Sequence, residues 1–78
     1  SVASATKQLE KTKIPILFIH GDRDDFVPRY MVKENYKSTS GKKELLIVKG
    51  AEHANSSKIA PTLYWNTVDK FIKKYINT

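Results

Sequence analysis

Two short apolar runs, separated by polar segments, predict the β-strands of this chain. They occupy residues 14–19, Ile-Pro-Ile-Leu-Phe-Ile, and residues 44–48, Glu-Leu-Leu-Ile-Val. Each run is too short for a typical helix and is rich in β-branched residues, which is typical of a strand buried on both faces of a parallel sheet. We expect Gly21 to end the first strand and Gly50 to close the second.

The segments around these strands predict helices. Residues 4–11 are expected to form the end of a first helix. A second helix is expected over residues 29–38, because Pro28 suits the start of a helix and Gly41 suits a left-handed cap at its end. Pro61 is expected to begin the last helix. The buried face of that helix is predicted by apolar residues spaced three and four apart: Tyr64, Val68, Phe71, Ile72, Tyr75 and Ile76.

The order helix, strand, helix, strand, helix predicts an α/β fold with two parallel strands and flanking helices. With 78 residues and no cysteine, the chain is at most one small domain whose core no disulfide can reinforce. Two parallel strands alone would leave both sheet edges open. We therefore expect residues 1–78 to be one piece, the C-terminal part, of a larger α/β domain.

The turns after the two strands carry side chains suited to acid–base chemistry. Asp22, Asp24 and Asp25 follow the first strand, and His53 follows the second. In open α/β sheets, reactive groups lie beyond the carboxyl ends of the strands, and neighbouring strands are about 5 Å apart. We therefore expect an aspartate to hydrogen-bond to His53 and to orient its imidazole, as in a nucleophilic triad.

The spacing leaves open which of the aspartates pairs with the histidine. Asp22 would also suit a turn cap that accepts backbone N–H groups, and Asp25 would suit a solvated surface acid. A polar turn and a surface-loop histidine are the non-catalytic interpretation of the same residues. The other histidine, His20, is expected to be packed and hydrogen-bonded. Tyr64 and Trp65 would suit a substrate pocket, although their helical spacing favours core packing.

These turns, in this order, resemble the C-terminal third of an α/β-hydrolase and are most similar to bacterial esterase and acyl-peptidase-like members. The acid loop of that family, Gly-Asp-x-Asp-x-x-Val-Pro, is matched by residues 21–28, and its Gly-x-x-His loop is matched by residues 50–53. The likeness extends over nearly the whole chain from residue 4. It implies a C-terminal αβαβα fragment of an α/β-hydrolase fold, with Asp24 as the catalytic acid and His53 as the catalytic base.

The same resemblance implies a serine hydrolase that acts on a small-molecule carboxylic ester or related acyl bond and uses no cofactor. The nucleophile of this fold lies in a Gly-x-Ser-x-Gly turn, and no glycines frame Ser56 or Ser57 in that way. The nucleophile and the main oxyanion donors are therefore expected upstream, in the missing N-terminal part of the same domain. Without them, the chain alone is expected to be inactive.

Other kinds of partner are less well supported by the sequence. The net charge of +6 would suit a nucleic acid, but the basic residues are scattered and only two of the fourteen are arginine, so we expect none. The acidic turn lacks the glycine and the distant glutamate of a calcium loop, and no second histidine is spaced for zinc. No metal is expected.

The alternative to an enzyme is a non-catalytic α/β binding or assembly module. In that case the exposed strand edges would drive homo-oligomer formation or pairing with the rest of a hydrolase. The absence of cysteine and of a membrane-length apolar run favours a cytoplasmic location. Any signal or membrane anchor would lie upstream of Ser1.

Overall fold

A computed structural model of the chain describes residues 2–76. Six elements follow one another: α1 (Val2–Lys11), β1 (Ile16–Gly21), α2 (Arg29–Ser38), β2 (Lys43–Val48), α3 (Ser56–Ile59) and α4 (Pro61–Tyr75). The prediction of an α/β arrangement with two parallel strands and flanking helices is confirmed.

The first strand lies two residues later than the sequence pattern predicts. It begins at Ile16, whose N–H donates to the Lys42 carbonyl (3.0 Å), because the preceding Pro15 has no N–H to donate. Ile14 is 70% exposed. The strand continues two residues beyond the predicted apolar run and ends at Gly21, which pairs with Val48, so the prediction that Gly21 ends it is confirmed.

The second helix has the predicted bounds, 29–38, but its cap differs from the prediction, and one short helix was not predicted. The second helix is closed by Thr39, whose N–H and hydroxyl both donate to the Asn35 carbonyl, at 3.2 and 2.8 Å. The predicted left-handed cap at Gly41 is wrong, because Gly50 is the glycine with a positive φ (81°) in the described part of the chain. The one-turn helix α3 was not predicted, since local hydrogen bonds to the Asn55 carbonyl form it within a polar loop.

The strands pair in parallel from Ile16 opposite Lys43 to Gly21 opposite Val48. Within residues 2–76, each strand has one neighbour and one edge without a partner. The register brings the two strands to an end at the same rim of the sheet, where the turns containing Asp24 and His53 begin.

The described chain is a thin plate with little interior. It measures 34 × 32 × 13 Å, and its radius of gyration is 12.8 Å, compared with about 11.5 Å for a compact domain of this length. Among residues 7–76, the buried apolar residues are Val48, Ala51 and Phe71. Residues 16–19 of β1 are half-buried, so the prediction of strands buried on both faces was wrong for this chain.

Helix α4 and the residue after it also leave large apolar side chains exposed. Of its predicted buried face, Phe71 is buried, but Ile72 is 39% and Ile76 is 60% exposed. Trp65 is 59% exposed, so the expectation that it packs in a core was also wrong. These side chains are exposed because α4 packs mainly against the short helix α3 and not across the sheet. No helix among the described residues combines the length and the apolar character that crossing a bilayer demands.

The small interior predicts weak cooperativity for the 78-residue chain studied alone. We expect a broad thermal transition, with a van't Hoff enthalpy well below the roughly 55 kcal/mol typical of a compact domain of this length. Circular dichroism melting, with sedimentation to establish the oligomeric state, measures this. A monomer that unfolds in one sharp transition would contradict the view that the fold is incomplete.

Candidate active site

Asp24 lies at the centre of the turn between β1 and α2. Its Oδ1 atom accepts the backbone N–H groups of Phe26 and Val27, both at 2.9 Å. The backbone N–H of Asp24 donates to the Gly21 carbonyl at 3.2 Å. The turn therefore wraps around its own carboxylate, which leaves the side chain only 5% exposed.

The second carboxylate oxygen of Asp24 contacts His53. The distance from Asp24 Oδ2 to His53 Nδ1 is 2.9 Å, a hydrogen bond between the turns that follow β1 and β2. Since Nδ1 is occupied by this bond, Nε2 is the ring nitrogen left for proton transfer. The His53 side chain is 49% exposed, so the imidazole is accessible while its partner is buried.

A tight loop holds His53 in place. The side-chain oxygen of Asn55 accepts the Glu52 N–H at 2.7 Å, and the Asn55 N–H donates to the Glu52 carbonyl at 3.4 Å. Ala54 has a left-handed backbone with φ of 58°. Because this conformation is costly for a residue with a side chain, the surrounding bonds must maintain it.

Asp22 ties the two turns together. Its Oδ1 atom accepts the Gly50 N–H at 2.7 Å, and its own N–H donates to the Val48 carbonyl at 3.1 Å. The next residue, Arg23, donates its N–H to the Ala51 carbonyl at 2.9 Å. Asp22 therefore acts as a cap, the role that the sequence left open for it, but it caps the neighbouring turn.

The aspartates thus have different positions. Asp24 is the one hydrogen-bonded to His53 in the described part of the chain, and Asp25 is exposed. The placement of Asp24 and His53 side by side, which the sequence predicted, is confirmed as geometry. Their catalytic roles stay a prediction.

The surroundings of Asp24 lower the pKa of its carboxyl below the ordinary value of 3.8. Burial acts in the opposite direction and raises the pKa, but hydrogen bonds from Val27, His53 and Phe26, together with the charge interaction with His53, outweigh it. Asp24 is therefore ionised at neutral pH and acts as an acceptor for the Nδ1–H of His53.

A cleft of about 440 Å³ opens beside the dyad of Asp24 and His53. Its wall includes the apolar side chains of Ile19, Val27 and Val32, and the half-buried Tyr64. His20, Ser56 and Ser57 supply further polar groups. His20 is 5% exposed, so the prediction that it is packed is confirmed, but its Nδ1 atom lies 3.6 Å from Asp24 Oδ2, beyond hydrogen-bond distance.

Phe26 is a site residue that the sequence reasoning missed. It is 82% exposed, and its ring centroid lies 5.2 Å from that of His53. No pattern in the sequence marked it, since single apolar residues are commonly exposed and Phe26 lies in a turn without periodicity. A smaller hollow of about 160 Å³ lies here, lined by Arg23, Asp25, Phe26, Glu52 and His53.

The close approach of the two turns predicts that Gly21 cannot be replaced by alanine. A Cβ atom at this position would clash with the Ala51 carbonyl oxygen, so the turns must separate. We expect tryptic cleavage after Arg23 and Lys49 to become about 30-fold faster in Gly21→Ala, the equivalent of about 2 kcal/mol of opening free energy. Gly41→Ala is the matched control, because its nearest contact is an ordinary 3.4 Å. Equal cleavage of the two variants would contradict the prediction.

The lowered pKa of Asp24 predicts how the turn responds to acid. Because the folded-state pKa is depressed, the stabilisation is fully present above 3.8 and is lost as the pH falls through the lower, folded-state value. We expect the Asp24 carboxyl carbon to titrate below 3.8 by NMR in the folded protein, and His53→Gln to move the midpoint upward. The urea-unfolded chain provides the control. A folded-state midpoint at or above 3.8 would contradict this account.

Comparison with known proteins finds a relative whose similarity extends over most of this chain. The chain is 34% identical over 64 residues to the uncharacterized protein YqkD of Bacillus subtilis (strain 168). The match covers 82% of this chain and 21% of that protein, so the chain spans about a fifth of the length of its relative. No family model matches the chain, and no solved structure matches it either.

Proposed function

We propose that this chain is the C-terminal part of an α/β-hydrolase and that Asp24 and His53 are the acid and base of its catalytic triad. The observation that carries the proposal is the 2.9 Å hydrogen bond between Asp24 Oδ2 and His53 Nδ1. It joins two side chains from the carboxyl ends of adjacent parallel strands, which is where reactive groups gather in α/β sheets. The sequence motifs around both residues support the same assignment.

The proposed reaction is hydrolysis of a carboxylic ester or a related acyl bond. A serine outside this chain attacks the acyl carbon, and His53 Nε2 takes the hydroxyl proton as the new C–O bond forms. The imidazolium then gives that proton to the leaving-group oxygen as the old C–O bond breaks. Water, deprotonated by the same imidazole, then attacks the acyl carbon; the bond to the serine oxygen breaks, the acid product leaves, and the imidazolium returns its proton to the serine.

Asp24 serves this cycle in two ways. Its Oδ2 atom accepts the Nδ1–H of His53, which holds the ring in the tautomer with Nε2 free to receive a proton. Its negative charge stabilises the imidazolium that forms on the pathway. The low pKa of Asp24 supports this role, because a carboxyl that stays ionised remains an acceptor throughout.

The incomplete interior supports the view that further structure completes the site. The plate is 13 Å thick, both strands have an open edge among the described residues, and α4 leaves Ile72 and Ile76 exposed. The relative from Bacillus subtilis, of which the matched residues make up 21%, is much longer than this chain. The missing part would supply the nucleophile, the oxyanion donors and the cover for these apolar surfaces.

The test uses the longer protein that contains this chain, with a fluorophosphonate probe and p-nitrophenyl acetate. We expect the probe to label a serine outside residues 1–78. His53→Gln should lower kcat by about 10⁴-fold or more, and Asp24→Asn by about 10³- to 10⁴-fold. Asp25→Asn is the matched control, an exposed acid in the same turn, and should change kcat by less than about threefold.

Two outcomes would overturn the proposal. One is a longer protein that the probe does not label and that has no Gly-x-Ser-x-Gly turn between a strand and a helix. That result would favour the non-catalytic binding or assembly module, in which the open strand edges serve association. The other is esterase activity of the 78-residue chain alone that His53→Ala abolishes, because the machinery would then be complete without any missing part.

A further inference from the structure

His20 is a buried imidazole that the proposed reaction does not use. It is 5% exposed and lies in β1, where its backbone pairs with Ile47. Its Nδ1 atom is 3.6 Å from Asp24 Oδ2, the same oxygen that bonds to His53 Nδ1 at 2.9 Å. Two imidazoles therefore approach one carboxylate oxygen from different elements of the fold.

His20 is the polar side chain of a strand whose other side chains are apolar. It also lines the cleft beside Asp24 and His53, so its imidazole faces the site and is not enclosed among apolar side chains alone. Asp24 supplies a charged acceptor within a small side-chain movement, since 3.6 Å exceeds a normal N–H···O distance by well under 1 Å.

The carboxylate of Asp24 has room for this second donor. Its Oδ1 atom already accepts the Phe26 and Val27 N–H groups, whereas Oδ2 has His53 as its one hydrogen-bond donor among the described residues. A carboxylate oxygen accepts two hydrogen bonds, so Oδ2 has one free acceptor position beside His20. A donor there would restrain rotation of the carboxylate whenever the bond to the half-exposed His53 lengthens.

We propose that His20 is a positioning residue for Asp24: it donates from Nδ1 to Asp24 Oδ2 and keeps that oxygen directed at His53. This inference rests on the proposed function for one point, the catalytic role of Asp24. The contact itself, and its effect on the bond between Asp24 and His53, does not depend on any hydrolase activity.

Three substitutions separate positioning from packing. The side-chain nitrogen of asparagine occupies the place of a histidine Nδ1, and that of glutamine the place of Nε2. His20→Asn therefore keeps the donor to Asp24, while His20→Gln fills more of the space but moves the donor away. His20→Leu fills the space without any donor. If His20 only packs, the asparagine variant should be the worst of the three.

The readouts in the longer protein are the low-field NMR signal of the His53 Nδ1 proton and the kinetics with p-nitrophenyl acetate. His53→Gln assigns the signal by removing it. We expect His20→Leu and His20→Gln to broaden or shift this signal and to lower kcat by about tenfold with little change in KM, as expected for weakening a hydrogen bond to a charged group. His20→Asn should retain both properties.

The outcomes distinguish this proposal from the proposed function. An unchanged His53 signal in His20→Leu, or an asparagine variant as impaired as the leucine variant, would overturn the positioning role. A protein without esterase activity in which only the leucine and glutamine variants disturb the His53 signal would sustain the role of His20 and refute the hydrolase. If the leucine variant fails to fold, the comparison of asparagine with glutamine decides the question.

Discussion

The parallel pairing of β1 with β2 is the constraint on which the site depends. The ladder does not stop at Gly21 and Val48, because the next two backbone N–H groups, of Asp22 and Arg23, donate to the carbonyls of Val48 and Ala51. The two turns therefore begin at the same rim of the sheet and are connected there by backbone hydrogen bonds. A register slip of one residue would reverse the direction of every side chain on the slipped strand. The bond between Asp24 and His53 would then be lost without any change at either residue.

The charge of Asp24 both shapes its own turn and holds His53. One oxygen is used to shape the turn, through the N–H groups of Phe26 and Val27, and the other faces His53. This division explains how a buried carboxyl has a lowered pKa, since the hydrogen bonds from Val27, His53 and Phe26 stabilise its charged form and outweigh the cost of burial. It also means that the carboxylate is oriented before His53 binds it. Asp22 has the complementary role, because its side chain positions the backbone of the histidine turn.

The sequence predicted the parts of this structure that depend on local chemistry or on strand order. The start of α2 after Pro28 follows from the fixed backbone of proline, and the meeting of Asp24 with His53 follows from parallel topology. Spacing alone did not separate Asp24 from Asp22, because the difference lies in which backbone N–H groups each turn presents. The exposure of Ile72 and of Phe26 was equally unpredictable, since a periodic pattern marks an apolar face but cannot show what covers it.

The thin interior and the incomplete chemistry have one explanation under the proposed function. An acid–base pair without a nucleophile and oxyanion donors provides little transition-state stabilisation. A sheet of two strands buries little apolar surface. The cleft beside His53 is walled by apolar side chains such as Ile19 and Val32 on the same rim where a third group would have to approach Nε2. Structure that occupied this rim would bury those side chains and bring a nucleophile to the imidazole in the same step. The same contacts would then complete both the core and the catalytic site. A chain without the covering structure is therefore expected to lack catalytic activity as well.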